Sequence, residues 1–486
     1  MRAREMWTAS ATELARAIRE RRVTATDVVE AHIARTRRVN PHINAVVRDR
    51  FDAARAEARE ADARVADERA SDLPPLLGVP CSIKEAFALT GMPNSSGLWA
   101  RRDRVSTSDA TAVARLRAAG AIPLGVTNVS ELCMWMESSN AVYGRTNNPF
   151  HLGSTAGGSS GGEGAIVGAG AVPFGLGSDV GGSIRMPAFF NGVFGHKPTG
   201  GLVPNTGQYP GAHGVAQRYV TTGPITRRAS DLMPLLQILA GPDGIEERCI
   251  EPELGDPASV DLSKLVVHDV PDNGRVRVAA SLRAAQERAL RHLERRGARV
   301  VKTEIPELRA SLEIWSAMLE DAEGPSFRDL MADGGPFDPW RELARAPLPT
   351  SRYTLPGVLL ALVERVPKLF PERSRELRER GVALRDRLDA LLGEDGVMLF
   401  PSHAIPAPRH REPLLFPFRW VYTAIINVME LPATQVPLGL DPRGKPLGVQ
   451  VIGGRRRDHA TIAVAMELER AFGGWVPPRP LPLGWT

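Results

Sequence analysis

The chain has 486 residues, 43% hydrophobic and 24% charged, with 61 Lys+Arg against 56 Asp+Glu and a formal net charge of +5. These proportions suit a globular protein and exclude a mostly disordered chain, a collagen and a coiled coil. The small basic excess is interspersed with acids, as around Glu287, Glu294 and Arg296, which describes a solvated face and not a nucleic-acid surface.

Six of the basic residues are lysines, Lys84, Lys197, Lys264, Lys302, Lys368 and Lys445, which leaves 55 arginines. Codon bias accounts for an arginine-rich chain. It also marks each retained lysine as a position to inspect.

In chain order, apolar spacing predicts two helices over 8–40, with a start signal at Thr26-Asp27, and a polar helix over 52–69. Pro75–Ile83 reads as a short apolar strand leading to Lys84. A helix over 108–119 ends at Gly120 and precedes a strand at Ala121–Val126. Beyond a glycine-rich stretch come a helix at Leu232–Ala240 and a strand–helix–strand pattern at 265–270, 279–296 and 300–303. Residues 310–393 read as mainly helical, with Pro-rich turns near 336–349. A strand at Val397–Pro401, a helix near 421–429, paired strands at 434–438 and 448–452, and a helix at 458–472 complete the pattern. Short strands dispersed among helices predict an α/β fold. We expect a single large domain over 1–486, with a central mixed β-sheet surrounded by many α-helices.

Cys81, Cys133 and Cys249 are far apart and form no CxxC pair, so neither a zinc site nor a disulfide framework is expected. The charged opening MRAREMWTASATELARAIRERR lacks the apolar run of a secretory signal, and no stretch of 18 apolar residues occurs. A cytoplasmic location without an integral membrane segment is expected.

Sixteen of the 46 glycines fall between Gly153 and Gly201. Apolar pieces such as Ala165-Ile166-Val167 make this a tightly built core segment and not a flexible linker. It lacks G-x-x-x-x-G-K-[ST] and G-x-G-x-x-G, so it is not read as a nucleotide loop. Ser160-Gly161-Gly162-Glu163 fits a capping box before an apolar helix, which leaves Ser159 uncommitted. A serine nucleophile needs a base. His151, His196 and His213 have no spacing that singles one out, and His196 suits packing or a loop hydrogen bond. A lysine can serve if burial lowers its pKa, and Lys84 follows an apolar approach; a surface lysine in a strand-to-loop turn is the plain alternative. Asp179-Val180-Gly181-Gly182-Ser183 supplies adjacent backbone N–H groups able to converge on an oxyanion.

The stretch GGSSGGEGAIVGAGAVPFGLGSDVGGSIRMPAFFNGVFGHKPT, residues 157–199, resembles the signature of the amidase signature family, with a signature core at about 144–201. The runs Glu131–Asn140, Tyr143-Gly144 and Asn147–Pro149, together with Met186–Gly192, are similar to its fatty-acid amide hydrolase branch, type 2. The resemblance implies an amidohydrolase with no metal and no organic cofactor, acting on a small-molecule amide. It implies Ser183 as nucleophile, Ser159 as middle serine after a cis peptide bond from Gly158, and Lys84 as terminal base. Val180, Gly181, Gly182 and Ser183 would form the oxyanion hole. Ser160, Asp179 and Arg185 would brace the site, and Cys133 and Met134 would line the acyl pocket, with Trp135 nearby. Lys197 matches the family as a structural lysine. A hydrophobic acyl group, fatty or aryl, is the expected preference. Other members leave open an aryl acylamidase, a peptide amidase, an oligomer-amide hydrolase or the glutaminase subunit of a tRNA-dependent amidotransferase. In that last group Gln usually stands where this chain has Met186. A homodimer is also left open.

Overall fold

A computed structural model describes residues 1–345, 351–364 and 370–478, with the side chain of Ala3 excepted. Parts of the helical and Pro-rich stretch expected over 310–393 therefore lie outside the described residues, at 346–350 and 365–369.

Eleven strands form one mixed sheet. We number them β1 (Val46–Asp49), β2 (Pro80–Lys84), β3 (Ile122–Thr127), β4 (Phe174–Asp179), β5 (Phe194–Lys197), β6 (Thr221–Thr226), β7 (Val266–Asp269), β8 (Arg299–Lys302), β9 (Gly396–Phe400), β10 (Ala433–Leu440) and β11 (Pro446–Gly453). Their order is β1-β3-β2-β4-β6-β5-β10-β11-β9-β7-β8. Two parallel groups, β3-β2-β4 and β9-β7-β8, flank an antiparallel centre. Every residue of β2, β4, β5, β6 and β9 is buried. Such strands read as continuous apolar or small-residue runs because helices cover both faces.

The sequence pattern anticipates seven of these strands and the longer helices but not β1, β4, β5 and β6. Of these, β4, FGLGSD, and β6, TTGPIT, are rich in Gly, Ser, Thr and Pro and show no alternating apolar period. The predicted helix over 52–69 spans Phe51–Asp67, that over 279–296 spans Ala280–Arg295, and that at 458–472 spans Asp458–Phe472. The second N-terminal helix begins earlier than its start signal suggested. It runs Ala25–Ile43, and the Thr24 side chain accepts the Asp27 N–H. An N-cap must lie outside the helical dihedrals, and Thr24 is extended. The region over 310–393 contains Ser311–Glu320, Phe327–Ala332, Pro339–Arg345, Leu355–Val363 and Pro371–Leu392.

One capping expectation fails. Ser160 precedes the helix Gly161–Gly168 but makes no side-chain cap. Its hydroxyl donates to the Ser178 carbonyl at 3.3 Å, and Glu163 turns into the sheet. The helix is buried along its whole length, so a side chain near its start has the sheet to bind instead of its own N-terminus.

Two hydrophobic clusters result. The large one fills both faces of the sheet. A small one, built on Leu98, Leu132, Met331, Phe337 and Ala361, supports the helices Phe327–Ala332 and Leu355–Val363. Among the described residues no helix is long and apolar enough to cross a membrane.

Candidate active site

Strands β2 and β4 are parallel neighbours, and both end at the same edge of the sheet, on Lys84 and Asp179. Sites in α/β sheets gather at such carboxyl ends, because the chain leaves the sheet there and its loops can converge. Ser159 reaches this edge from the turn before the helix Gly161–Gly168, and Ser183 from the loop after β4. The Gly158–Ser159 peptide bond is cis.

Lys84 is fully buried. Its Nζ lies 2.7 Å from Ser159 Oγ and 2.9 Å from Ser178 Oγ. Burial pushes the lysine below its ordinary pKa, because the ammonium loses hydration that two hydroxyls do not replace. The Cys133 thiol, Asp179 and Glu163 oppose that shift. Ser183 retains 8% exposure and shares a cavity wall with Ser159. No Ser159–Ser183 hydrogen bond occurs among the described residues.

Asp179 and Arg185 form a buried ion pair at 3.1 Å. Burial pushes the carboxyl up, but Arg185 and the Ile184 N–H outweigh it and hold Asp179 down at about 2. Asp179 also accepts the Gly182 N–H at 2.6 Å. The Arg185 guanidinium reaches on to Gln450, the Thr423 carbonyl and Asn427. The loop that carries Ser183 is therefore tied to a helix, Val421–Val428, more than 230 residues away in sequence. Two further bonds fix the loop's carbonyls. Trp315 Nε1 donates to Val180 O, and Thr423 Oγ1 to Gly181 O, each at 2.8 Å. Gly182 has φ +122°, and a Cβ there would overlap Thr423. Only glycine adopts this conformation without strain.

Two cavities meet at Ser183. One, about 460 Å³, is walled by Met134, Trp135, Met186, Leu312, Leu359, Leu414 and Phe418, without a charged lining residue. The other, about 520 Å³, is more polar and includes Gln208, His213, Glu320 and Glu364. Cys133 and Met134 line both. Trp315 and Trp420 pack edge to face at 5.0 Å beside Gly181.

The predicted residues thus converge: Lys84, Ser159, Ser160, Asp179, Val180, Gly181, Gly182, Ser183 and Arg185 at the strand ends, Cys133 and Met134 above them. His196 binds Thr434 and Asp458 and lies in the sheet, as its packing role requires. Lys197 is buried, donates to the Pro198 carbonyl and is pushed down to about 7 by burial and by Arg185.

Several residues were missed. Ser178 stands inside the quoted motif beside Asp179, and its place next to Asp179 was the available signal. Glu85 is buried and accepts the Ser95 and Ser96 N–H groups and the Tyr143 hydroxyl at 2.6–2.7 Å. It anchors the turn whose Ser96 carbonyl binds Leu132 N, next to Cys133. Trp315, Leu359 and Trp420 had no local signal. Among the described residues no group of three or more His, Cys, Asp or Glu could hold a metal ion.

Comparison with known proteins agrees with this geometry. The Amidase family profile matches residues 27–462. The chain is 47% identical to fatty-acid amide hydrolase 2-A of Danio rerio and 45% identical to fatty-acid amide hydrolase 2 of Homo sapiens, in each case over 96% of this chain and 90% of the relative. A solved bacterial aryl acylamidase of the amidase signature enzymes superposes with a TM-score of 0.79 at 25% identity, covering 97% of this chain and 99% of that one. A match running through the strand ends that carry these groups, and through nearly the whole chain, makes this protein a member of the amidase family, a hydrolase of amide C–N bonds.

Proposed function

We propose that Ser183 is the acyl-accepting nucleophile of this amidase, with Ser159 as relay and Lys84 as terminal base. The observation that carries this reading is the 2.7 Å Lys84–Ser159 hydrogen bond, buried and opening onto the cavity that Ser183 lines. Neutral Lys84 takes the Ser159 proton while Ser159 takes that of Ser183. Ser183 Oγ then bonds to the amide carbon. The developing oxyanion meets the N–H groups of Val180, Gly181 and Ser183; that of Gly182 is already given to Asp179. The proton returns through Ser159 to the amine nitrogen as the C–N bond breaks. Water attacks the Ser183 ester by the same relay and releases the acid.

The substrate in this reading has a hydrophobic acyl group, fatty or aryl, seated in the cavity of about 460 Å³. Its uncharged lining and the two fatty-acid amide hydrolase 2 relatives support that choice. The test has two arms. Ser183→Ala abolishes covalent labelling by a fluorophosphonate probe, and full labelling of that variant overturns the assignment. Among oleamide, an anilide, a C-terminal peptide amide and glutamine, the first two are hydrolysed fastest. Ammonia release from glutamine with no action on the apolar amides overturns the substrate class.

A further inference from the structure

Glu163 is the acid whose spacing suggested a capping partner for Ser160, and it is fully buried elsewhere. One carboxylate oxygen accepts the Ser82 hydroxyl, and the other accepts Thr127 Oγ1 at 2.8 Å. Ser82 lies two residues before Lys84 on the same face of β2. Thr127 is the register partner of Lys84 on β3. On the other side Gly175 of β4 pairs with Ser82, and a Cβ there would overlap the Glu163 carboxylate. The carboxyl is therefore wedged between the three strands under the catalytic edge. Its helix starts at Gly161, directly after Ser159-Ser160. One side chain joins the strand that carries Lys84 to the helix that follows Ser159, the two ends of the 2.7 Å hydrogen bond.

Other titratable groups around this pair are accounted for. Asp179 on β4 is held by Arg185. Cys81 on β2 is buried, which pushes its thiol up and keeps it neutral. Cys133 faces Lys84 directly: its thiol hydrogen-bonds the amine and opposes the burial shift more strongly than Asp179 or Glu163 does, and it is left intact in the variants tested below. Glu85 turns away, to Ser95, Ser96 and Tyr143. Strand β3 and the helix Gly161–Gly168 bring no further titratable group. Glu163 forms no ion pair of its own among the described residues, and its field acts on Lys84. Burial pushes its carboxyl up to about 7, against the Ser82 and Thr127 hydroxyls and Lys84.

We propose that Glu163 is a positioning residue for the reaction: it holds Lys84 and Ser159 in register and, when ionised, stabilises the Lys84 ammonium formed as the relay runs. No proton moves to Glu163 in this scheme; the ammonium keeps the proton taken from Ser159 until it returns to the amine. The proposal rests on the Ser183–Ser159–Lys84 reading.

The test follows fluorophosphonate labelling of Ser183 against pH, which needs no knowledge of the substrate. The wild-type rate rises with pH as Lys84 loses its proton. Glu163→Gln keeps the size and the hydroxyl partners but removes the charge. Its labelling curve moves to lower pH by about one unit, because Lys84 deprotonates more readily, and its plateau falls about tenfold, because the ammonium is less well stabilised. Ser82→Ala and Thr127→Val, which weaken the ionised form of Glu163, move the curve in the same direction by less. These two variants carry the test if Glu163→Gln does not fold. A curve with an unchanged midpoint in all three variants, whatever its height, overturns the proposal and leaves Glu163 a packing residue. Unlabelled wild type, or labelled Ser183→Ala, overturns the underlying nucleophile reading instead, and the proposal with it.

Discussion

The floor of the site and its wall are built differently. Lys84, Ser159, Asp179, Ser183 and Arg185 are all at most 8% exposed and rest on strands and helices of the main core. The wall of the apolar cavity comes from Ser311–Glu320, Leu355–Val363 and the segment near 414–420. Part of it rests on the small cluster around Leu132 and Met331, and Leu359, Val363 and Phe418 are 40%, 52% and 56% exposed. Proton relay needs fixed distances, and four of the floor residues are held by several partners. Lys84 is held by Ser159 and Ser178, Ser159 also by Ser138, Asp179 by Arg185 and the Gly182 and Ile184 N–H groups, and Arg185 further by Gln450, Thr423 and Asn427. Choosing an acyl group needs apolar area more than exact placement, since the hydrophobic effect is non-directional. Substitutions in the floor should therefore cost rate or folding, and those in the wall should change selectivity.

The largest expected effect is on rate. Lys84→Arg keeps the charge but cannot supply a neutral base, since a guanidinium stays protonated. We expect kcat to fall by about 10²–10⁴-fold, the usual contribution of a general base. Steady-state kinetics on the best amide of the panel checks this, and activity within a fewfold of wild type would break the floor side of the comparison. In the wild type, burial lowers the lysine pKa, so activity rises with pH through a midpoint below 10.5, the ordinary lysine value. Arg185→Met tests folding. It leaves Asp179 charged and unpaired in the core, for which a loss of about 3–5 kcal/mol is expected. Urea denaturation measures it, and a loss below about 1 kcal/mol, the scale of a surface pair, would show that the pair is not the anchor we describe.

The wall gives smaller effects. Leu360→Ala opens the junction of the two cavities and removes apolar area facing the acyl group. Its kcat/KM should fall about tenfold for a long-chain amide and little for a short one, at roughly 0.8 kcal/mol per lost methylene contact. Equal losses on both would make the wall part of the floor. The smallest change is Thr354→Ala. The Thr354 side chain caps Leu355–Val363 and also donates to the buried Glu131. Loss of the cap should cost about 1 kcal/mol in denaturant unfolding, with kcat on a short amide unchanged.

Much of the floor was legible because its residues are local in sequence. Serines, glycines and an Asp-Arg pair fall within residues 157–185, and Lys84 ends an apolar strand whose pattern is short and clear. The wall was not legible. Its contacts join Trp315 to Val180, Thr354 to Glu131 and Thr423 to Gly181, over 135, 223 and 242 residues, and no spacing rule spans such distances. Glu163 shows the same limit inside the signature, since a capping box and a buried carboxyl share one local pattern.

By itself, the sequence placed seven of the eleven strands and the longer helices, predicted the mixed α/β class, and singled out the serine- and glycine-rich segment and Lys84. Periodicity and local chemistry suffice for these. Only the tertiary structure decided that Lys84 and Ser159 lie 2.7 Å apart, that Gly182 gives its N–H to Asp179, and that Glu163 faces the sheet. Each depends on which strands become neighbours, and burial and packing between distant segments settle that.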